Sequence, residues 1–496
     1  MKKVAGLFAL IGFLFLANAG AQQPAGQITV AQGVDPTTMD PHMQVETTTI
    51  NVLTNIFDSL TFFNRDNEVE PGLAVSWEII DDNTWEFRLR EGVRYHDGSP
   101  LTADDVVFSI MRVAAPGSRS PSHSRYAFIE DVEVVDPTTV HIKTFEPYPI
   151  LPAVITDLFI MKEEHEDTVS TAPIGTGPFR FVSWTRDEAL TLEAFDEYWR
   201  GAPEVERVVF RPIPEASTRL AELVTGGVDI ITNILPHSVP SVEASGVASV
   251  KRIQSTRYVF VGMNLEVDSP LRSREVRQAL NYAVDLDGII AGVLLGNGEP
   301  MSQPAHAVHF GFDESISPYP YDPERARELL AQAGYPDGFK IDMMTPTGRY
   351  LNDQLAAEAI AGQLGEIGVE VSLEVMEWGT YVNAVTAERT AAPLYFLGWG
   401  SVPGLDADGI YIPLLGTGQN LSYYSNPELD EVAKRARQTM DENERLRLYS
   451  EAAQITHEDA PWIFLWNQYD LYGVSDRLDW DPVSFEKIWL YDASFN

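Results

Sequence analysis

Two short runs hold the side chains best suited to grip a small molecule. The first is Thr345-Pro-Thr-Gly-Arg-Tyr350, and the second is Trp399-Gly-Ser-Val-Pro-Gly-Leu-Asp-Ala-Asp408. Arg349 presents a planar guanidinium that can hold a carboxylate through two parallel hydrogen bonds. Trp399 offers a flat face to an apolar or aromatic group. Asp406 and Asp408 can pair with a cation or accept from a hydrogen-bond donor. Singly, each has an ordinary reading as a surface arginine, a packed tryptophan or a turn aspartate. Their placement argues for more. Each run follows an apolar strand pattern, and ligands of open α/β sheets bind beyond the carboxyl ends of the strands.

Covalent chemistry finds little support. The chain has no cysteine, which excludes thiol nucleophiles, disulfides and cysteine metal sites. No Gly-x-Ser-x-Gly run occurs, and no histidine sits in a recognisable triad arrangement. Glu163, Glu164 and His165 lack the second histidine of a zinc protease motif. His306 and His309 stand three apart without further ligands, so no metal site is expected. Gly175-Thr-Gly177 lacks the third glycine or the Gly-Lys-Ser ending of a phosphate loop, and Pro178 leads into a strand. His96, Asp97, Asp104 and Asp105 are better explained by a turn and a helix cap, with Thr102 at the N-cap. No catalytic residue and no cofactor is expected. Plentiful carboxylates leave one competing class, a secreted hydrolase with two acids facing each other across a cleft.

The length of 496 residues is enough for two or three domains. With 44% hydrophobic and 22% charged residues the composition is globular. Lysine and arginine total 35 against 73 acids, a formal charge of −38. So acidic a chain repels phosphate backbones and anionic membranes, and nucleic acid is a poor partner. Lys2 and Lys3, the apolar run Val4 to Leu16 and the small residues Ala17 to Ala21 read as a secretory signal peptide over 1–21. A cysteine-free cleavage site cannot carry a lipid anchor. The expected mature protein is periplasmic and not lipid-anchored.

Strands and helices alternate along the rest. Strands are predicted at Val75 to Ile80, Thr84 to Leu89, Val208 to Pro212, Lys340 to Met344, Val369 to Val375 and Pro393 to Trp399. Asp322-Pro323-Glu324 reads as N-cap, first-turn proline and first-turn acid. Asn352 or Asp353 is the expected cap of a helix through Leu364. Tyr258 to Asn264 is predicted as a short buried strand, and Ser273 caps the helix after it. This alternation implies an α/β fold. The stretch from Tyr258 to Leu295 reads as a crossing between lobes, and Trp462 to Trp466 as a strand leading back.

Four runs carry a resemblance: Asn83 to Arg112, Ile174 to Phe179, Tyr198 to Pro203, and Asn264 to Ile290. Together they resemble the extracellular solute-binding proteins of the peptide and nickel class, family 5, which feed ABC importers. The resemblance covers nearly the whole mature chain. It implies a two-lobed periplasmic-binding-protein-like fold of the large type II class. The first lobe would comprise 22–69, an inserted subdomain at 70–172, 173–269 and a C-terminal return at 467–496. The second lobe would run over 270–466. A solute would bind between the lobes, and the closed protein, a monomer, would dock on a permease with its ATPase. The segment after Asp35-Pro36 and Asp40-Pro41 would lie along the cleft. In relatives that bind dipeptides an arginine matching Arg349 holds the ligand carboxylate. Peptide binders also place an aspartate three residues after the tryptophan, where it holds the free amino group. Here that position is Val402, so the amine anchor is missing unless Asp406 or Asp408 replaces it. Peptides or peptide-like solutes are the expected cargo. A non-peptide solute such as a sugar, opine or metal chelate is the alternative, and a chemoreceptor partner shares the fold.

Overall fold

Two long strands, Ala248–Met263 and Trp462–Ser475, run antiparallel through the middle of the molecule and belong to both of its halves. The computed structural model describes residues 26–400 and 403–496, so the signal-peptide reading and the Val402 position lie outside the described residues. The protein has a two-lobed α/β fold built on one 11-stranded mixed sheet. On one side of the long pair lie Leu394–Trp399, Phe339–Pro346 and Val369–Met376. On the other lie Ile230–Ile231, Gln27–Gln32, Arg207–Pro212, Ala189–Ala194 and Phe179–Thr185.

Both long strands exceed the short apolar runs predicted for them. The extra length is polar: Lys251, Arg252 and Gln254 on one strand, Asn467, Gln468 and Asp470 on the other. Hydrophobic periodicity does not see such a stretch, but the backbone ladder continues through it, with Ile253 opposite Asp470 and Gln254 opposite Tyr469. The ladder then breaks. Its next partners are Tyr258 and Asn467, so Ser255, Thr256 and Arg257 stand out as a bulge. Asn467, fully buried, donates through Nδ2 to the carbonyls of Ser255 and Arg257, both at 2.8 Å. The bulge is thereby held in one shape rather than left with unpaired carbonyls.

Past the bulge, side chains alternate between two cores, as the strand period of two requires. Val259, Val261 and Met263 join the helices Arg274–Tyr282, Pro323–Gln332 and Asp353–Glu366. Tyr258 and Phe260 join Asp408–Leu415, Pro427–Gln438 and Glu442–Asp459 on the opposite face. Local signals place several helix ends where predicted. Asp322 caps Arg325 N, and Ser273 accepts from Val276 N at 3.5 Å. Thr102 and Asp105 form a reciprocal capping box, which accounts for that acidic cluster structurally. A separate core spans residues from Leu60 to Ile160 and contains a four-stranded antiparallel sheet and the helix Ala103–Ala114.

The run Gly175-Thr-Gly177 packs its backbone against the end of the helix Thr47–Leu53. Gly177 N donates to the Ile56 carbonyl at 2.9 Å. A Cβ at Gly175 would lie 2.1 Å from that same oxygen, so the position accepts no side chain unless backbone moves. Gly175→Ala is expected to cost about 1–3 kcal/mol, the range for overpacking a closed site. Urea unfolding of the variant checks this, and an unchanged midpoint would refute the close approach.

Candidate solute-binding cleft

The loop that carries Arg349 is wound around one carboxylate. Asn352 stands at the N-cap position of the helix Asp353–Glu366 but makes no capping hydrogen bond with its side chain. It takes a left-handed conformation (φ +50°) and spends its side chain on the Val293 carbonyl. Asp353 accepts from Gln354 N at 2.9 Å in the first turn and also reaches back, with Oδ1 accepting from Gly348 N at 3.0 Å and Oδ2 from Arg349 N at 2.8 Å and Tyr350 N at 3.0 Å. Four backbone donors converging on one anion make a rigid turn. Tyr350, 6% exposed, closes it from below by donating to the Gly398 carbonyl at 3.1 Å. Only glycine fits at 398, because a Cβ there would lie 2.6 Å from the tyrosine ring.

Arg349 is therefore held by its backbone while its guanidinium remains uncommitted. Among the described residues it forms no ion pair and no side-chain hydrogen bond. Its Cζ lies 5.2 Å from the ring centres of both Tyr350 and Trp378. Burial and then the neighbouring Arg257 lower its pKa below the ordinary arginine value. A half-buried cation between two rings, with a like charge nearby, is arranged to receive an anion.

Trp399 ends the strand Leu394–Trp399, opposite Tyr258. Its indole is partly buried, and Nε1 is shielded from solvent without a hydrogen-bond partner. The tryptophan and Arg349 thus stand at the ends of two strands of the same sheet, joined through Tyr350 and Gly398.

Asp406 and Asp408 are placed differently, and the suggestion that either replaces the amine anchor needs correcting. Asp406 is 1% exposed and holds Arg445 at 2.7 Å and the Tyr449 hydroxyl at 2.9 Å. Asp408 is 3% exposed and takes Arg437 in a two-pronged pair at 2.7 and 2.8 Å. Both carboxylates already have internal cations. Removing either partner would leave a buried charge, at a cost of about 3–5 kcal/mol. Asp408 Oδ2 also accepts from the hydroxyl of Tyr148, at 3.2 Å. Tyr148 belongs to the separate core of residues 60–160, so this contact joins that core to the segment after Trp399. Gln438 donates to Glu146 at 2.5 Å beside it.

Periodicity and motif reading missed four residues at this site. Arg257 projects from the bulge and meets Glu486 through Nε and a terminal nitrogen, at 2.7 and 2.9 Å. Glu486 comes from the C-terminal return and sits at φ +60°, an uncommon conformation for glutamate. Asp470 lies on the returning long strand, and Trp378 walls Arg349. One signal was readable: Arg257 directly precedes the apolar run that begins at Tyr258. His306 and His309 are buried, with His306 Nε2 against the Gln254 amide at 2.9 Å and His309 Nδ1 accepting from His306 N at 3.1 Å. An open groove of about 640 Å³ lined by Asp342, Met344, Glu374 and Glu388 shares no residue with this cleft.

Residues 68–422 match the family described as bacterial extracellular solute-binding proteins, family 5, middle. The chain belongs to this family. Heme-binding protein A of Haemophilus influenzae is 31% identical over 86% of the chain and 84% of its own length. The glutathione-binding protein GsiB of Pectobacterium atrosepticum is 30% identical over 89% and 88%. The fold is shared with the periplasmic binding protein DppA of Helicobacter pylori in complex with the peptide STSA, with a TM-score of 0.83 and 27% identity over 95% of this chain and 98% of that one. These relatives are binding proteins. In this family 5 protein no described helix is long and apolar enough to cross a membrane.

The Tyr148–Asp408 contact yields a prediction. Tyr148→Phe removes one hydroxyl donor and should shift the open–closed balance by about 1 kcal/mol, roughly fivefold, toward the open form. Small-angle scattering should then show a larger radius of gyration with little change in melting temperature. Identical scattering from variant and parent would exclude a role in closure.

Proposed function

We propose that this protein captures short peptides, or peptide-like solutes with a free carboxylate, between its lobes. It then delivers them to an ABC permease from the periplasmic side. The observation that carries this reading is Arg349: an uncommitted guanidinium, fixed by Asp353, in the loop just past the end of the strand Phe339–Pro346. The peptide and glutathione named for two of its relatives support the class of cargo. Trp399 supplies a flat wall, and Val34, Met43 and Val45 on the loop after the first strand expose apolar side chains. The lobes in this reading are 22–269 with 467–496 against 270–466. The role is capture and release of an unchanged solute, by a monomer whose signal peptide has been removed.

A second reading rests on Asp406 and Asp408. With both held by internal arginines, nothing at those positions is free to take an α-amino group. That favours an anionic solute without one, and heme is named for one relative.

Two outcomes separate the readings. Calorimetry with Ser-Thr-Ser-Ala should show that Arg349→Ala weakens binding by about 2–3 kcal/mol, in the range of a charged hydrogen-bonded pair. The C-terminal amide of the same peptide should bind the parent weakly and be indifferent to the substitution. Equal losses for acid and amide would remove the carboxylate role of Arg349. Trp399→Ala should weaken binding at least about tenfold, as loss of a stacked aromatic wall does, with the fold intact by circular dichroism. An unchanged affinity would take Trp399 out of the site. Mass spectrometry of solutes that co-purify decides the cargo: mixed short peptides support the first reading, and one non-peptide compound the second.

A further inference from the structure

Four ionisable side chains from four separate segments converge where the long strands bulge. Arg257 projects from the bulge, Glu486 from the C-terminal return, Asp470 from the second long strand and Arg349 from its loop. Arg257 and Glu486 are paired face to face. Asp470 is different. It is 8% exposed, and while its Oδ1 accepts from Gln468 Nε2 at 3.0 Å, its Oδ2 has no hydrogen-bond partner. The other end of the same Gln468 amide accepts from Leu351 N at 3.5 Å. One side chain therefore bridges Asp470 to the loop that carries Arg349. The Ser255 hydroxyl donates to Glu486 at 3.3 Å and lies within reach of Asp470 as well.

Charge balance gives this geometry a consequence. The titratable and charged groups facing Asp470 are Glu486, Arg257 and Arg349, with Tyr472 on its own strand; Tyr350 and Asp353 stand behind Arg349. With Asp470 ionised, two arginines balance two carboxylates. A solute carboxylate on Arg349 adds a third negative charge and takes away the attraction that Arg349 exerts on Asp470. In a site shielded from water the least costly response is for the carboxyl with an unpartnered oxygen to take up a proton.

We propose that Asp470 sets the charge this cleft accepts: a proton from solvent binds its carboxylate when an anionic group of the solute occupies Arg349. The inference rests on the reading of Arg349 as the carboxylate site. Burial, and secondarily the negative charge of Glu486, push Asp470 up to about 7, so the proton exchanges near neutral pH. The sign follows. Well below pH 7 Asp470 is already protonated, binding takes up no proton and affinity is flat. Above pH 7 each bound anion must bring a proton, and affinity falls by up to about tenfold per pH unit until the higher pKa of the complex is reached. Asp470 touches no solute atom in this scheme; it is a positioning residue acting through charge.

The test uses the mature protein with Ser-Thr-Ser-Ala and with glutathione, titrated calorimetrically from pH 5.5 to 8.5 in buffers of different ionisation enthalpy. Asp470→Asn has nearly the same shape and no titrating group. The parent should take up about half a proton or more per solute beyond the Asn variant at pH 8, and no excess at pH 5.5. Subtracting the variant removes the contribution of the solute's own amino group. Asp470→Glu should restore the pH dependence, which a merely structural role would not predict, and thermal melts confirm folding of both variants. Binding that survives Arg349→Ala overturns the carboxylate reading at Arg349. Binding that depends on Arg349 with equal proton uptake by parent and Asn variant overturns this inference alone. No binding of either probe to the parent overturns both.

Discussion

The Arg257–Glu486 pair is the interaction on which the cleft depends. A bidentate ion pair buried at this depth survives only when both groups are fully hydrogen-bonded, because taking two charges out of water costs several kcal/mol each. The fold meets that condition in three ways. Asn467 satisfies the carbonyls of the bulge, so Arg257 leaves the strand at a defined point. Ser255 supplies a further donor to Glu486. The main chain at Ser484 accepts from Thr256 N, which pins the C-terminal return against the bulge. The C-terminal segment is thereby tied to the first of the two long strands. Burial raises the pKa of Glu486, and Arg257 more than offsets it, so the carboxylate stays ionised.

Everything charged in the cleft is read against that pair. Arg349 stands near it without an anion of its own, while Asp470 stands near it without a cation of its own. The two are the unbalanced members of an otherwise neutral cluster, linked through Gln468. Such an arrangement is poor design for stability, since each uncompensated buried charge opposes folding. It is what the proposed capture and release of an anionic solute would require. By contrast Asp406 and Asp408 are fully satisfied and serve architecture. Their arginines anchor the helices Pro427–Gln438 and Glu442–Asp459 to the segment after Trp399, and Asp408 extends one hydrogen bond to Tyr148 of the separate core of residues 60–160.

Much of this protein was legible in its residues taken alone. Apolar periodicity and capping chemistry are local, so the helix starting at Pro323 and the strands Thr84–Leu89 and Val369–Met376 could be read directly. The family wording of Asn264 to Ile290 pointed to a two-lobed solute-binding protein, and Arg349 and Trp399 could be picked out as strand-end side chains. What local pattern could not supply was the partner of each charge. Asp406 lies 39 residues from Arg445, and Arg257 lies 229 residues from Glu486. No spacing rule connects such pairs; only the packing of the chain decides which carboxylate meets a cation. The same holds for the polar halves of the two long strands, whose residues look like loop until a partner strand satisfies their backbone. Sequence by itself determined the family resemblance, the alternating α/β elements and the residue types available for binding, because these follow from short-range chemistry. Tertiary structure alone decided which charges are cancelled and which are left without a partner of opposite sign, because electrostatic pairing depends on distance in space rather than distance along the chain.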